Sequence, residues 1–218
     1  MVQRRDGQET RLRLISAASD AFAEKGLSNA RIVDICKQAE ANVAAVNYHF
    51  GGKDALYVEV WRTLCDEAQR LYPPTGAVEA DAPLEERLYA HVLVMLRRMT
   101  DRGRLGRLHK LREHERANPT GLADDVIRER MEPGLLVLQT LVKEALGQGA
   151  ADETIRMTTM GIVNQCRGLI GRSRLTSRLL SGGDLGRADI ERVAKHIAAF
   201  SIGGMERIRH TVGEGAKE

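Results

Sequence analysis

The run Asn42-Val43-Ala44-Ala45-Val46-Asn47-Tyr48-His49-Phe50 carries the most pointed chemistry in this chain. An asparagine amide can donate to and accept from one adenine edge, and valine or alanine can meet a thymine methyl. Helical spacing turns Val46 and Phe50 inward as anchors and leaves Val43, Ala44, Asn47 and Tyr48 facing out. Tyr48, His49 and Lys53 suit phosphate oxygens, and Lys53 also stands near a helix N-terminus. Arg31 offers a further cation, and Asn42 is a good N-cap for the helix that would carry the set. The pattern is that of a base-reading helix face flanked by phosphate contacts.

Other constellations carry less. His109 and His114 are spaced i, i+5 and fall on different faces of a helix, unlike the i, i+4 pair of a helical zinc site. The run Ser181-Gly182-Gly183-Asp184-Leu185-Gly186 lacks the preceding strand and the Gly-Lys-Ser/Thr of a phosphate loop. No Gly-x-Ser-x-Gly, paired-carboxylate or Cys/His signature stands out, so no catalysis, metal or cofactor is expected. The arginines between 97 and 112 can form a solvated face, steer DNA or hold an anionic effector. Trp61, Met95, Met99 and Met131 at helical spacings read as core. They could equally line an adaptable small-molecule site, with His109 or Arg112 as its polar handle.

The elements that must position these residues are all helical. Thr10 caps a helix running to about Lys25 and stopped by Gly26, with Leu12, Ile15, Ala18 and Phe22 on one face. A second helix reads from about Ile32 to Gln38, with Ile32, Ile35, Cys36 and Ala39 on one side. After the connection Glu40-Ala41-Asn42, the third runs from Val43 to His49. Gly51-Gly52 breaks the chain, Lys53 opens a long fourth helix to roughly Leu71, and Pro73-Pro74 ends it. Residues 73–83 have linker composition. Leu84, Leu88, Val92, Met95 and Met99 mark the next helix, and Leu105, Leu108 and Leu111 another, ending near Asn118-Pro119. A pattern from Ile127 to Ala145 stops at Gly147 and contains Pro133, which predicts a kink or two abutting helices. Residues 152–171 and 187–210 give two more long helices. No alternating strand pattern occurs. The expected fold is all-α, a three-helix helix-turn-helix domain followed by a C-terminal bundle.

Composition excludes other classes. With 43% apolar and 29% charged residues over 218 positions, the chain buries a real core and is neither disordered nor membrane-spanning. Cys36, Cys65 and Cys166 are too few and too far apart for a disulfide framework, which fits a reducing cytoplasm. The opening MVQRRDGQETR has no apolar stretch behind its arginines, so no signal peptide is expected. Net charge is only +3, and residues 1–63 hold nine Lys/Arg against eight Asp/Glu. Affinity for a polyanion must therefore come from the placement of Arg4, Arg5, Arg31, Lys37 and Lys53 rather than bulk charge.

Three runs carry a specific resemblance: Thr10-Arg11 through Phe22-Ala23-Glu24-Lys25-Gly26, then Ile32-Val33-Asp34-Ile35, then Val46-Asn47-Tyr48-His49-Phe50-Gly51-Gly52-Lys53-Asp54-Ala55-Leu56. In order and spacing they resemble the N-terminal domain of the tetracycline-repressor (TetR) family over about residues 8–68. The Asn-Tyr-His-Phe-Gly variant is similar to a subgroup with a CerR-type C-terminal domain. Arg112-Glu113, Asn118-Pro119-Thr120, Ile162–Cys166 and His196–Gly204 extend that similarity. The resemblance implies a dimeric, ligand-responsive transcriptional regulator, usually a repressor. Residues 8–68 would then read an operator, 69–83 link, and 84–212 bind effector and dimerise. Dimerisation is expected through the last two long helices, with Ile155, Val163, Ile190, Val193, Ile197 and Phe200 at the interface and Gly161, Gly168, Gly203 and Gly204 permitting close approach. Two departures stand out. Glu40 replaces the usual turn glycine, placing strain and an acid beside the reading face. Ala30-Arg31 replaces the usual Ser/Thr before the second helix, removing a capping hydroxyl. Glu40 keeps open the alternative of a helical oligomeric interaction protein that has lost operator binding. A helical enzyme is the remaining rival, without a catalytic constellation to support it.

Overall fold

The computed structural model describes residues 2–74, 78–101, 103, 105–168 and 186–215. Residues 169–180, and the Ser181–Gly186 loop apart from Gly186 itself, lie outside the described residues. Among the described residues all regular structure is helical: α1 (Val2–Asn29), α2 (Ile32–Gln38), α3 (Val43–Phe50), α4 (Lys53–Leu71), α5 (Leu84–Thr100), α6 (Leu105–Ala117), α7 (Asp124–Leu146), α8 (Asp152–Arg167) and α9 (Arg187–Gly215). The chain folds as two compact units, Met1–Ala68 with Arg102–Met131, and Gln69–Asp101 with Glu132–Glu218. By sequence 84–212 reads as one block; by packing, α6 and the start of α7 lie with the first unit.

In the first unit α2, α3 and α4 fall where their punctuation puts them. Helix α1 begins earlier than expected. Thr10 is not its cap: its hydroxyl donates to the Asp6 carbonyl one turn back at 2.9 Å, inside the helix. Gly26, at φ 72, interrupts the helical backbone within α1, since a left-handed conformation costs glycine nothing. Leu12, expected inward, is exposed, and Leu14 takes its place on the buried stripe with Ile15, Ala18 and Phe22. These pack with Ile35, Cys36, Val46, Leu56, Tyr57, Val60 and Trp61 in a core where the Phe22 and Tyr57 rings meet edge-on at 5.1 Å. Helix α6 buries Leu105, Leu108 and Leu111 and packs along α1, where Arg107 pairs with Asp20 at 2.6 Å.

The second unit is built on α5, α7, α8 and α9. Leu88, Val92 and Leu96 meet Leu138, Leu141 and Val142, Ile155, Ile162 and Val163, and Ala194, Ile197 and Met205 in one cluster. Helix α7 is a single helix with Pro133 inside it, not two abutting ones. The chain leaving α4 is strapped along α5. Arg98 donates to the Tyr72 carbonyl, and His91 Nδ1 donates to the Pro74 carbonyl at 2.8 Å. Burial keeps His91 below the usual imidazole range and hence neutral at pH 7, with Arg98 acting in the same direction and the Pro74 bond opposing them. Burial likewise pushes the Cys166 thiol up to about 12, a packed sulfur and no nucleophile.

Candidate nucleic-acid interface

The recognition helix is fixed at both ends by its own sequence. Asn42, in extended backbone at φ −99 and ψ 163, accepts the Ala45 N–H on Oδ1 at 2.8 Å. That oxygen serves the cap, so the amide NH2 is the group Asn42 can offer a phosphate. At the other end Gly51 takes φ 84 and donates to the Asn47 carbonyl at 2.9 Å, a left-handed cap that strains any side chain with a Cβ. Between the caps Val46 is 1% exposed and anchors the helix, while Phe50 is half-buried beneath the Arg11 guanidinium, 5.4 Å from the ring centre. Arg11 also pairs with Glu59 of α4, so one side chain ties α1, α3 and α4 together.

The outward face holds the residues the sequence placed there. Val43, Ala44, Asn47 and Tyr48 are exposed, with Tyr48 at 85% and its ring edge-on to half-buried His49. Helix α2 adds exposed Arg31, Val33, Asp34 and Lys37. Val33, 58% exposed, is a contact candidate that the sequence reading passed over; its place opposite buried Ile35 and Cys36 was the available signal. Together Val33, Val43 and Tyr48 present apolar surface amid groups able to bond bases and phosphates, as a major-groove reader requires. Lys53 reaches back from the start of α4 to the Ser28 carbonyl at 3.4 Å, bridging the helix after the recognition helix to the α1–α2 junction.

Both sequence departures have visible consequences. Arg31 occupies the N-cap position of α2 with no side-chain hydrogen bond, and Asn29 Nδ2 donates backward to the Lys25 carbonyl instead of capping forward. Glu40 is the only non-glycine described residue with positive φ, at 51°. Arg13 Nε braces the turn by donating to the preceding Ala39 carbonyl at 3.1 Å. A left-handed non-glycine residue costs about 1–2 kcal/mol, partly recovered because glycine is freer when unfolded. Glu40→Gly is therefore expected to stabilise the fold by about 1 kcal/mol in thermal or denaturant unfolding. A fall in the midpoint would show that the Glu40 carboxylate makes a contact worth more than the strain.

The residues considered for a ligand site are not gathered in one unit. Trp61 (fully buried), His109, Arg112 and Met131 belong to the first, and half-buried Met95 and Met99 pack on the core of the second. His109 is held below its usual range by partial burial, with Glu113 opposing and Arg112 and Arg116 adding to it. Among the described residues no three His, Cys, Asp or Glu side chains group as metal ligands, and no helix is long and apolar enough to cross a membrane.

Most of the expected interface residues are covered within the single chain. Ile155, Val163 and Ile197 are 3–8% exposed and belong to the second unit's own core, against which Ile190 and Val193 also pack. They are apolar because they fill that core. Phe200 alone of the six is exposed, at 65%. Among the described residues the large exposed apolar side chains of α8 and α9 are Met157, Met160 and Phe200, with Gly161, Gly203 and Gly204 open to space.

A capped helix offering small and amide side chains beyond a short turn, on a three-helix core, defines a helix-turn-helix transcriptional regulator. Residues 14–60 match the family model of bacterial regulatory proteins, tetR family, and residues 84–205 match the C-terminal domain of the HTH-type transcriptional dual regulator CecR. The chain belongs to the TetR family of transcriptional regulators, in the group with the CecR C-terminal domain. The C-terminal subgroup is therefore CecR rather than CerR. The chain is 26% identical to the Shigella flexneri HTH-type transcriptional dual regulator CecR, across 73% of this chain and 74% of that protein. It is 28% identical to a probable acrEF/envCD operon repressor of Escherichia coli strain K12, across 71% and 70%. Its fold matches a Pseudomonas aeruginosa PAO1 structure described as a putative transcriptional regulator, with TM-score 0.65, 20% identity and coverage of 90% and 92%. By its family the chain is a DNA-binding transcriptional regulator.

Proposed function

We propose that this protein is a homodimeric repressor acting on cytoplasmic DNA, which holds a near-palindromic operator and releases it when a small molecule binds. The observation that carries the reading is the α3 face, where Val43, Ala44, Asn47 and Tyr48 are exposed between two locked ends while Val46 is buried. In this reading residues 8–68 contact DNA, with Arg31, Asn42, His49 and Lys53 on phosphates, and 84–212 carry dimerisation and effector response, 69–83 connecting them. The likeness to an operon repressor supports the sign of regulation. Half-buried Met95 and Met99 support an adaptable wall for an apolar effector in the second unit. For the effector to release DNA it must bind the DNA-free state more tightly, typically by about 1–3 kcal/mol of coupling. A footprint on the DNA upstream of the protein's own gene tests the reading. The expected result is a two-fold symmetric protected site with half-sites one helical turn apart or a multiple of it. No protected site there or elsewhere in the genome would return the chain to a helical interaction protein.

A further inference from the structure

Glu115 is a carboxylate buried in the middle of the first unit, 8% exposed, and nothing in the reading face explains it. It is fully used. Its Oε1 accepts the Thr120 N–H at 2.6 Å, the Thr120 hydroxyl at 2.8 Å and the Gly121 N–H at 3.1 Å. Its Oε2 accepts the Tyr57 hydroxyl at 2.8 Å. The Thr120 hydroxyl in turn accepts the Leu122 N–H at 3.2 Å, so the turn after α6 is wound around one side chain. A buried charge is tolerated when several donors meet it, and losing one then leaves an uncompensated group.

The partner on the other side is what gives this network reach. Tyr57 is 1% exposed, lies one helical turn into α4, and packs edge-on against Phe22 of α1 and near Trp61. Helix α4 begins at Lys53, directly after the Gly51-Gly52 exit of the recognition helix. The direction of that exit is set by the Gly51 cap, by Arg11 between Phe50 and Glu59, by the Lys53–Ser28 bond, and by the packing of the first turn of α4. The Tyr57 hydroxyl and Glu115 add a buried polar tie from that turn to α6. His114, the neighbouring residue, lies against Gly26, where a Cβ would meet its Nδ1 at 3.1 Å, so α6 touches α1 at its glycine interruption as well.

We propose that Glu115 is a positioning residue for operator reading: by accepting from the 118–122 turn, chiefly on Oε1, and from Tyr57 on Oε2, it locks α4, and with it the exit of the recognition helix, to α6. This rests on the operator reading above and assigns a role there to a residue that touches no DNA. Tyr57→Phe and Thr120→Val each delete one hydroxyl at opposite ends of the tie, and Glu115→Gln removes the acceptor charge between them. The full-length protein is titrated by fluorescence anisotropy against a duplex bearing the footprinted site and against a scrambled duplex. The active fraction is fixed by stoichiometric titration, and unfolding is followed in parallel.

Each single variant is expected to weaken the footprinted site about five-fold or more with scrambled DNA unchanged. The Tyr57→Phe/Thr120→Val double variant should lose far less than the product of the two, because both act through Glu115. A residue serving stability alone would lower the unfolding midpoint and the active fraction while leaving the affinity of the active protein intact. That outcome, or strict multiplicativity of the two hydroxyl deletions, overturns the proposal even if Glu115→Gln does not fold. Wild-type protein that binds no duplex would overturn the operator reading itself, and this inference with it.

Discussion

Asn47→Ala is expected to lose about 1–3 kcal/mol of binding to the operator and to relax the base preference at one position of each half-site, while scrambled DNA binds as before. The side chain is exposed on the outward face of a helix anchored by Val46. Its backbone carbonyl accepts the Gly51 cap, so truncation at Cβ leaves the cap geometry intact. Lys53→Ala is the control with the opposite signature. Its ammonium is a point charge beside the Ser28 carbonyl, so removal should weaken every sequence alike and reduce the salt slope by about one counterion. Parallel anisotropy titrations over a salt series separate the two. Equal loss on operator and scrambled DNA for Asn47→Ala would move that residue from base reading to phosphate contact.

Legibility followed the range of the interactions involved. The bounds of α2, α3 and α4 are written in local residues: Asn42 caps, Gly51 takes the left-handed conformation, and Lys53 restarts the helix after two glycines. Positive φ at Glu40 was likewise readable, because the turn demands it whatever residue stands there. The start of α1 was not, since a threonine hydroxyl near a helix start can cap forward or bond the carbonyl one turn back, and Thr10 does the latter. Two losses are of longer range. That α6 belongs with the reading unit depends on Arg107 meeting Asp20 and Glu115 meeting Tyr57, pairings between residues 58 or more positions apart. The tie through Glu115 was invisible because Tyr57 and Glu115 each look ordinary on their own helices. Periodicity also reports that a face is apolar without reporting what covers it. The apolar spacing of Ile155, Val163 and Ile197 suits a dimer interface and a bundle core equally, and in the single chain they fill the core.

Their burial leaves the positions still uncovered as the expected dimer contact, and the largest effect on the assembled protein should come from Phe200. In the single chain its ring is 65% exposed and stacks loosely on His196, and Met157 and Met160 are further large exposed apolar side chains of the α8–α9 pair. Gly161, Gly203 and Gly204 have nothing within 4 Å of a built Cβ, which suits the close approach of a second helix. In an isologous contact every substitution counts twice. Burying one phenylalanine is worth about 1.5–3 kcal/mol, so Phe200→Glu should weaken the dimer by about 3–6 kcal/mol before the cost of burying two carboxylates. Light scattering is expected to show a folded monomer at micromolar concentration. Operator affinity should collapse with it, because each copy then holds one half-site alone. Ile197→Ala is the contrast: at 3% exposure it should cost about 2–5 kcal/mol of stability through a core cavity, yet leave the folded fraction dimeric. If Phe200→Glu stays a dimer while Ile197→Ala dissociates, the two chains meet elsewhere, and the exposed ring of α9 must have another use.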